Sequence, residues 1–219
     1  MQRHSDERAF TLIEILVVMT LIAILMGIGY PAFTSVMESA RKTQAKNEEQ
    51  QIVAAVNAFY TDYGKYPIVT ADTTLTGTTA PSNGDLFFSL RAVAQGANAL
   101  VNGVPAVNPR SIVFIQPPVS KDQTNPRSGI RTLTSIWYDP WGSPYNVMID
   151  GNYDNSLANP YADTPPPGGT PLYLGVIVWS FGKNGALGGG PAAVGPAGFT
   201  SEGGSANNFS GSGDIISWQ

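Results

Sequence analysis

Few side chains in this sequence can do chemistry. It has no cysteine, and its single histidine, His4, lies in a short polar stretch ahead of a long apolar run. From residue 5 onward there is therefore no thiol nucleophile, no Ser-His-Asp triad and no His- or Cys-ligated zinc or copper site. No phosphate-cradling GxxxxGK loop, GxSxG elbow or HExxH helix is present. What remains is carboxylates, lysines and tyrosines, and two carboxylate settings stand out. The first is Glu14, alone near the start of the apolar run Phe10–Tyr30. A charge in such a run is costly unless a partner of opposite sign sits at the same depth, so an acid there points to function. The second is Asp150-Gly-Asn152-Tyr-Asp154-Asn155, whose oxygens alternate as at the start of a calcium loop. Its sixth place holds Asn155 instead of glycine, and its twelfth holds Tyr161 instead of glutamate; Asp163 is near enough in sequence to complete a ligand set. The same string reads equally as a turn rich in Asp and Asn.

The chain has 219 residues, 13% of them charged, with 24 glycines, 17 prolines and a net charge of -4. That is room for one membrane segment and a single loop-rich domain. No basic cluster longer than Arg41-Lys42 exists, which argues against a nucleic-acid face. The run Phe10–Tyr30 would make a helix of roughly 31 Å, enough to cross a bilayer core. Arg3 and Arg8 ahead of it place its N-terminal end in the cytoplasm. The run is too long for a cleaved secretory signal, so a signal anchor is the plain alternative. Gly27, Gly29 and Pro31 end it, and Pro31 predicts a kink or a locally unwound stretch.

Thr34–Tyr63 reads as helix, mostly polar to Gln51, then with an apolar stripe of Ile52, Val56, Phe59 and Tyr63 that should face a sheet. Gly64 and Pro67 stop it. A Thr-rich loop spans Thr70–Thr79, and Asn83–Ala94 predicts a short helix with Leu86, Phe87, Leu90 and Val93 on one face. Ile112–Ile115 predicts a strand or a buried extended segment. Asp139-Pro140-Trp141-Gly142 is a turn by its chemistry, with Trp141 expected on the helix stripe. Tyr145–Ile149, Leu172–Phe181 and Ile215–Trp218 predict a small antiparallel sheet. Gly182–Gly213 is too glycine-rich to fold on its own. The fold class is α+β: a long N-terminal helix, membrane-spanning in its first half, packed on a small antiparallel sheet with long Gly/Pro-rich loops.

The order Ala9, Phe10-Thr-Leu-Ile-Glu14 and the apolar run resembles the prepilin peptidase site of type IV pilins and type II secretion pseudopilins. The strings Asp62-Tyr63-Gly64-Lys65-Tyr66-Pro67 and Asp139-Pro-Trp-Gly-Ser-Pro-Tyr145 resemble the major, G-type pseudopilin. The resemblance covers residues 9–67 and 135–181 well and the middle and extreme C-terminus poorly. It implies a leader over residues 1–9, a filament-core and membrane helix over 10–33, and a periplasmic domain over 34–219. It implies cleavage between Ala9 and Phe10, where Ala9 stands in place of the commoner glycine, and N-methylation of Phe10. It also implies pairing of Glu14 with the new ammonium of a neighbour's Phe10, with Pro31 part of the assembly region. The implied partners are further copies of the chain in a filament, prepilin peptidase, an inner-membrane assembly platform and minor pseudopilins. The implied location is the inner membrane, single-pass, with the C-terminal domain periplasmic, and then the filament. Calcium is the one cofactor implied, at the G-type motif Ser180–Gly185 and the late Asp214. Asn184 replaces an aspartate there, Lys183 adds a positive charge, the intervening loop is longer, and only Asp214 remains as a strong ligand of the matched set. A glycine loop packed without an ion is the alternative.

The implied function is a structural subunit of a type II secretion pseudopilus, not an enzyme. A type IV pilus subunit for adhesion or motility is the nearest alternative, although many such pilins carry a C-terminal disulfide. A membrane-anchored binding module that contacts a glycan through its Gly-rich loop or Asp/Asn cluster is the alternative from another class. Retention of residues 1–9 would favour that module.

Overall fold

A computed structural model describes residues 11–77, 80–161, 163–164, 170–185, 208–210 and 212–218; for residues 28–32 it describes the backbone only. The fold is α+β. Helix α1 spans Leu12–Tyr63. The chain divides into two compact units, residues 1–41 and 42–219.

In the first unit the helix is assigned without interruption through Pro31, so the locally unwound stretch expected there is absent. A proline removes one backbone donor, and a helix can continue past that single loss. Every described side chain from Thr11 to Met26 is exposed.

In the second unit, residues 42–63 of α1 supply one wall of the core. Ile52, Val56 and Phe59 are fully buried. The predicted stripe is therefore right, but it begins earlier: Ala45, Glu48 and Glu49 are buried too. Positions 45, 49, 52, 56 and 59 follow one helical face, and two of the residues on or beside it are acids. Gly64 closes the helix in the left-handed region at φ +66°, its N–H donating to the Tyr60 carbonyl.

After α1 come β1 (Thr73–Leu75), α2 (Asn83–Leu90), a 3-10 turn at Gly96–Asn98, β2 (Leu100–Val101) and β3 (Val104–Pro105). β4 (Gly129–Ile130), β5 (Trp137–Tyr138), β6 (Asn146–Ile149), β7 (Val176–Ser180) and β8 (Ile215–Ile216) complete the order. The main sheet runs β1-β6-β7-β8, antiparallel throughout. Three of these strands are those expected. β1 is a correction, since it lies in the segment read as a Thr-rich loop, pairing Leu75 with Val147. Threonine suits a half-buried edge strand, and here the pairing partner, more than the composition, decides. Ile112–Ile115 is the extended alternative: it joins no ladder, and Phe114 N–H donates to the Leu90 carbonyl.

Helix α2 is shorter than expected. A capping box of Ser82 and Asp85 starts it, and the chain turns left-handed at Ala92. Its predicted face is buried through Leu86, Phe87 and Leu90.

Side chains alternate across the main sheet. Val147, Ile149, Val176 and Val178 join the α1 stripe, α2 and Trp137 in the larger core. Ile177, Trp179 and Ile216 face the other way, under Leu157, Tyr161 and Leu172. Trp137 takes the place expected of Trp141, meeting Phe87 and Tyr145 edge-on. Trp141 packs against Ala45 and Ile215, and Ala45 lies about two helical turns ahead of Ile52, where the predicted stripe begins.

Candidate assembly and ion sites

Ala9 and Phe10 lie outside the described residues, as does the expected leader. Glu14 is described. Its Oε2 accepts hydrogen bonds from the Thr11 backbone N–H and the Thr11 hydroxyl, both at 2.8 Å. Glu14 N–H in turn donates to Thr11 Oγ1 at 3.3 Å. This is a reciprocal capping box, in which the first helical turn satisfies its own orphan donors. The S/T-x-x-E spacing of Thr11 and Glu14 carries that signal. Thr20 donates its hydroxyl to the Val17 carbonyl at 2.8 Å. The carboxylate of Glu14 is thereby fixed at the start of the helix, close in sequence to the expected new N-terminus.

Around it, Leu12, Ile13, Leu16, Met19, Leu25 and Met26 are all more than half exposed. A helix apolar on every side is made to be enclosed by lipid or by other helices. Among the described residues no helix is long and apolar enough to cross a membrane. The expected span over 10–33 falls partly outside them, at residue 10 and at the side chains of 28–32. The side chain of Pro31 is among these.

The expected ion residues fall in two separate places. Asp150, Asn152 and Asp154 share one turn. Asp150 accepts the Tyr153 and Asn155 backbone N–H groups, one on each carboxylate oxygen, at 2.7 and 2.8 Å. Asn152 and Asp154 bond to each other through Nδ2 to Oδ2 and through N–H to Oδ1. Tyr153 and Asn155 are left-handed here, as the reading of a turn rich in Asp and Asn requires. Asp163 is not drawn to this turn. Its carboxylate accepts the backbone N–H groups of Phe209 and Ser210.

In the second place, Asn184 Nδ2 donates to the Ser212 carbonyl at 3.1 Å, and Asp214 Oδ2 accepts the Tyr161 hydroxyl at 2.7 Å. Among the described residues no group of three or more His, Cys, Asp or Glu side chains could hold a metal ion.

The sequence reading missed a buried acid cluster between α1 and the Asp139 turn. Asp139 Oδ1 accepts three backbone N–H groups, from Trp141, Gly142 and Ser143, and its Oδ2 accepts the Ser180 hydroxyl. Burial outweighs those bonds and raises its pKa to about 6. Glu48 binds Gln44 and the Tyr145 hydroxyl, and burial raises its carboxyl as well. Glu49 is fully buried, and neither oxygen has a hydrogen-bond partner of ordinary geometry. Burial drives its carboxyl well above the usual range; Lys46 and the Ser180 amide offset this only in part, and Asp139 and Glu48 add to it. The helical spacing that continues the stripe back from Ile52 was the available signal.

Compared with known proteins, residues 4–30 match the prokaryotic N-terminal methylation motif. The chain is 32% identical over 95 residues to the fimbrial protein EcpC of Eikenella corrodens, a match covering 43% of this chain and 60% of that relative's length. It is 28% identical over 151 residues to the type II secretion system core protein G of Pseudomonas aeruginosa, covering 69% of this chain and 79% of the relative. A third relative, the pilin-like protein PilA3 of Thermus thermophilus, is 37% identical over 71 residues, covering 32% of this chain and 27% of its own length. No solved structure is significantly similar.

Proposed function

The chain belongs to the type IV pilin-like family, whose members are structural subunits and not enzymes, and on that premise we propose that it is a filament subunit of a type II secretion pseudopilus. The observation that carries this reading is the N-terminal unit: a capped helix apolar on every described side, with one carboxylate at its start. In this reading residues 1–9 are a leader, and residues 10–33 hold the precursor in the inner membrane with the domain from residue 34 in the periplasm. Prepilin peptidase cuts between Ala9 and Phe10 and methylates the new N-terminus. The ammonium of Phe10 in one copy then meets Glu14 of a neighbour. Each charge is costly alone in an apolar core, and paired they fix the axial register. An inner-membrane platform and minor pseudopilins complete the assembly.

The Asp139 turn and the similarity to core protein G across 69% of the chain favour the secretion filament. The similarity to a fimbrial protein favours a type IV pilus instead, with the same subunit chemistry.

The test is Glu14→Gln, expressed alongside wild type in the native host. The substitution keeps the size of the side chain and removes its charge. We expect normal membrane levels and at least a tenfold loss of sheared filament, since each 1.4 kcal/mol of lost pairing is about tenfold in an equilibrium. Undiminished filament from the Gln variant would sink the pairing.

A further inference from the structure

Residues 118–142, which carry β4 and β5, wall a cleft of about 960 Å³ in the second unit. Three cations stand in its lining, Lys121, Arg127 and Arg131. The chain as a whole is acidic, with a net charge of -4, yet three of its 12 Lys and Arg residues share this one cleft. Other arginines are partnered. Arg41 lies 3.8 Å from Glu38, Arg110 lies 3.1 Å from Asp62, and Arg91 donates to the Ser135 hydroxyl. The side chains of Lys121, Arg127 and Arg131 have no ion pair or hydrogen bond among the described residues. One acid shares the lining, Asp122, and its Oδ1 already accepts the Thr124 and Asn125 N–H groups at 2.8 and 3.1 Å. The cleft therefore keeps a net positive charge.

Its backbone is held before any ligand arrives. The buried Ser120 hydroxyl accepts the Arg127 N–H at 2.9 Å and donates toward the Asp122 and Arg127 carbonyls, each at 3.0 Å. Gln123 donates to the Ser120 carbonyl at 2.6 Å and accepts the Thr132 N–H at 2.7 Å. Ser128 N–H donates to the Asp139 carbonyl at 2.9 Å. A Cβ on Gly142 would come within 3.4 Å of Arg127 Cγ, so the stem of that arginine lies over the Asp139 turn. A preformed site loses little entropy on binding. The lining is also partly apolar, through Pro118, Val119, Pro126 and the buried Trp141.

Guanidinium groups match carboxylates in a two-pronged geometry. The apolar lining beside them suits a ligand that carries apolar side chains as well, and an inorganic anion gains nothing from it. We propose that the 118–142 cleft binds an acidic, partly apolar peptide segment of a partner protein, its carboxylates meeting Lys121, Arg127 and Arg131. This gives the domain a means of holding a second protein, beyond its role as a subunit.

The test is fluorescence anisotropy with the full chain in an uncharged detergent. The probe is a fluorescein-labelled peptide that alternates glutamate and leucine, and the control peptide carries glutamine for each glutamate. The glutamate peptide should bind at least about tenfold more tightly than the control. The triple variant Lys121→Gln, Arg127→Gln, Arg131→Gln should lose about tenfold in Kd, because three partly exposed charge pairs together amount to roughly that. Lys65→Gln changes an exposed cation outside the cleft and should bind as wild type does. If the triple variant melts early, Arg127→Gln alone, at an exposed position, should still weaken binding about twofold. Equal binding of the two peptides, or wild-type affinity in the folded variants, would overturn the proposal. So would an oligonucleotide of equal charge that binds as tightly, since the surface would then take any polyanion. A triple variant that loses self-association in light scattering while it still binds the peptide would assign the cleft to a second copy instead. None of these readouts involves Glu14 or the leader, so the filament reading stands or falls separately.

Discussion

The two most informative side chains are both carboxylates in apolar settings, and they solve that problem differently. Glu14 is capped by Thr11 at the mouth of its helix and is available to a second copy. Glu49 is sealed inside the domain without a hydrogen-bond partner of ordinary geometry, and burial drives its carboxyl well above the usual range. That has a consequence for stability. A buried acid whose folded pKa lies above its unfolded value binds more protons in the folded state. Its stability contribution is therefore full below the unfolded pKa and is lost as pH rises toward the folded one. Asp139 acts between 3.8 and about 6. Glu48 is raised in the same direction, and Glu49 is raised further. The domain should be most stable near pH 4 and lose about 1.4 kcal/mol per pH unit for each group in its window. Glu49→Gln removes that group's share. Urea midpoints measured from pH 4 to pH 8 should fall for wild type and fall less steeply for the Gln variant. Parallel curves would show that Glu49 contributes nothing to the pH dependence.

Helix α1 shows what a pattern can and cannot reveal. The stripe Ile52, Val56, Phe59 was legible because apolar residues at helical spacing have one explanation in a small domain. Phe59 is fully buried and stacks on Tyr63 at 4.4 Å. Phe59→Ala should cost about 3–5 kcal/mol in urea unfolding, whereas a loss under 1 kcal/mol would mean that the helix does not wall the core. The earlier part of the same face was not legible as buried, because Glu48 and Glu49 read as solvent-facing by type. The strands β6, β7 and β8 were found from alternation and bounding turns. Strand β1 was missed because its pairing is set by a partner more than seventy residues away, at Val147–Ile149. The Asp139 turn was read from Pro140 and Gly142, while its burial and its bond to Ser180 are tertiary facts that no local pattern carries. The expected ion ligands were read by type and spacing. The structure places them in two separate groups, one at 150–154 and one at Asn184 and Asp214, a separation that local spacing does not reveal.

At the scale of the molecule, the two units divide the labour. The described residues of 42–219 bury apolar surface in cores on the two faces of one sheet, with a smaller cluster of Ala45, Trp141 and Ile215 beside them. The described residues 11–27 bury none of theirs. A chain with a cored domain and an apolar helix left open needs an environment for the helix, and in the proposed reading a membrane followed by a filament supplies it in turn. In that reading the step between the two is removal of the leader, which would create the ammonium that Glu14 meets. The most direct measurement is the mass of the N-terminal peptide of protein recovered from its native membrane. A peptide that begins at Phe10 and carries one added methyl group is the predicted result. A peptide still bearing residues 1–9 would contradict the account, and the chain would then be read as a signal-anchored binding domain.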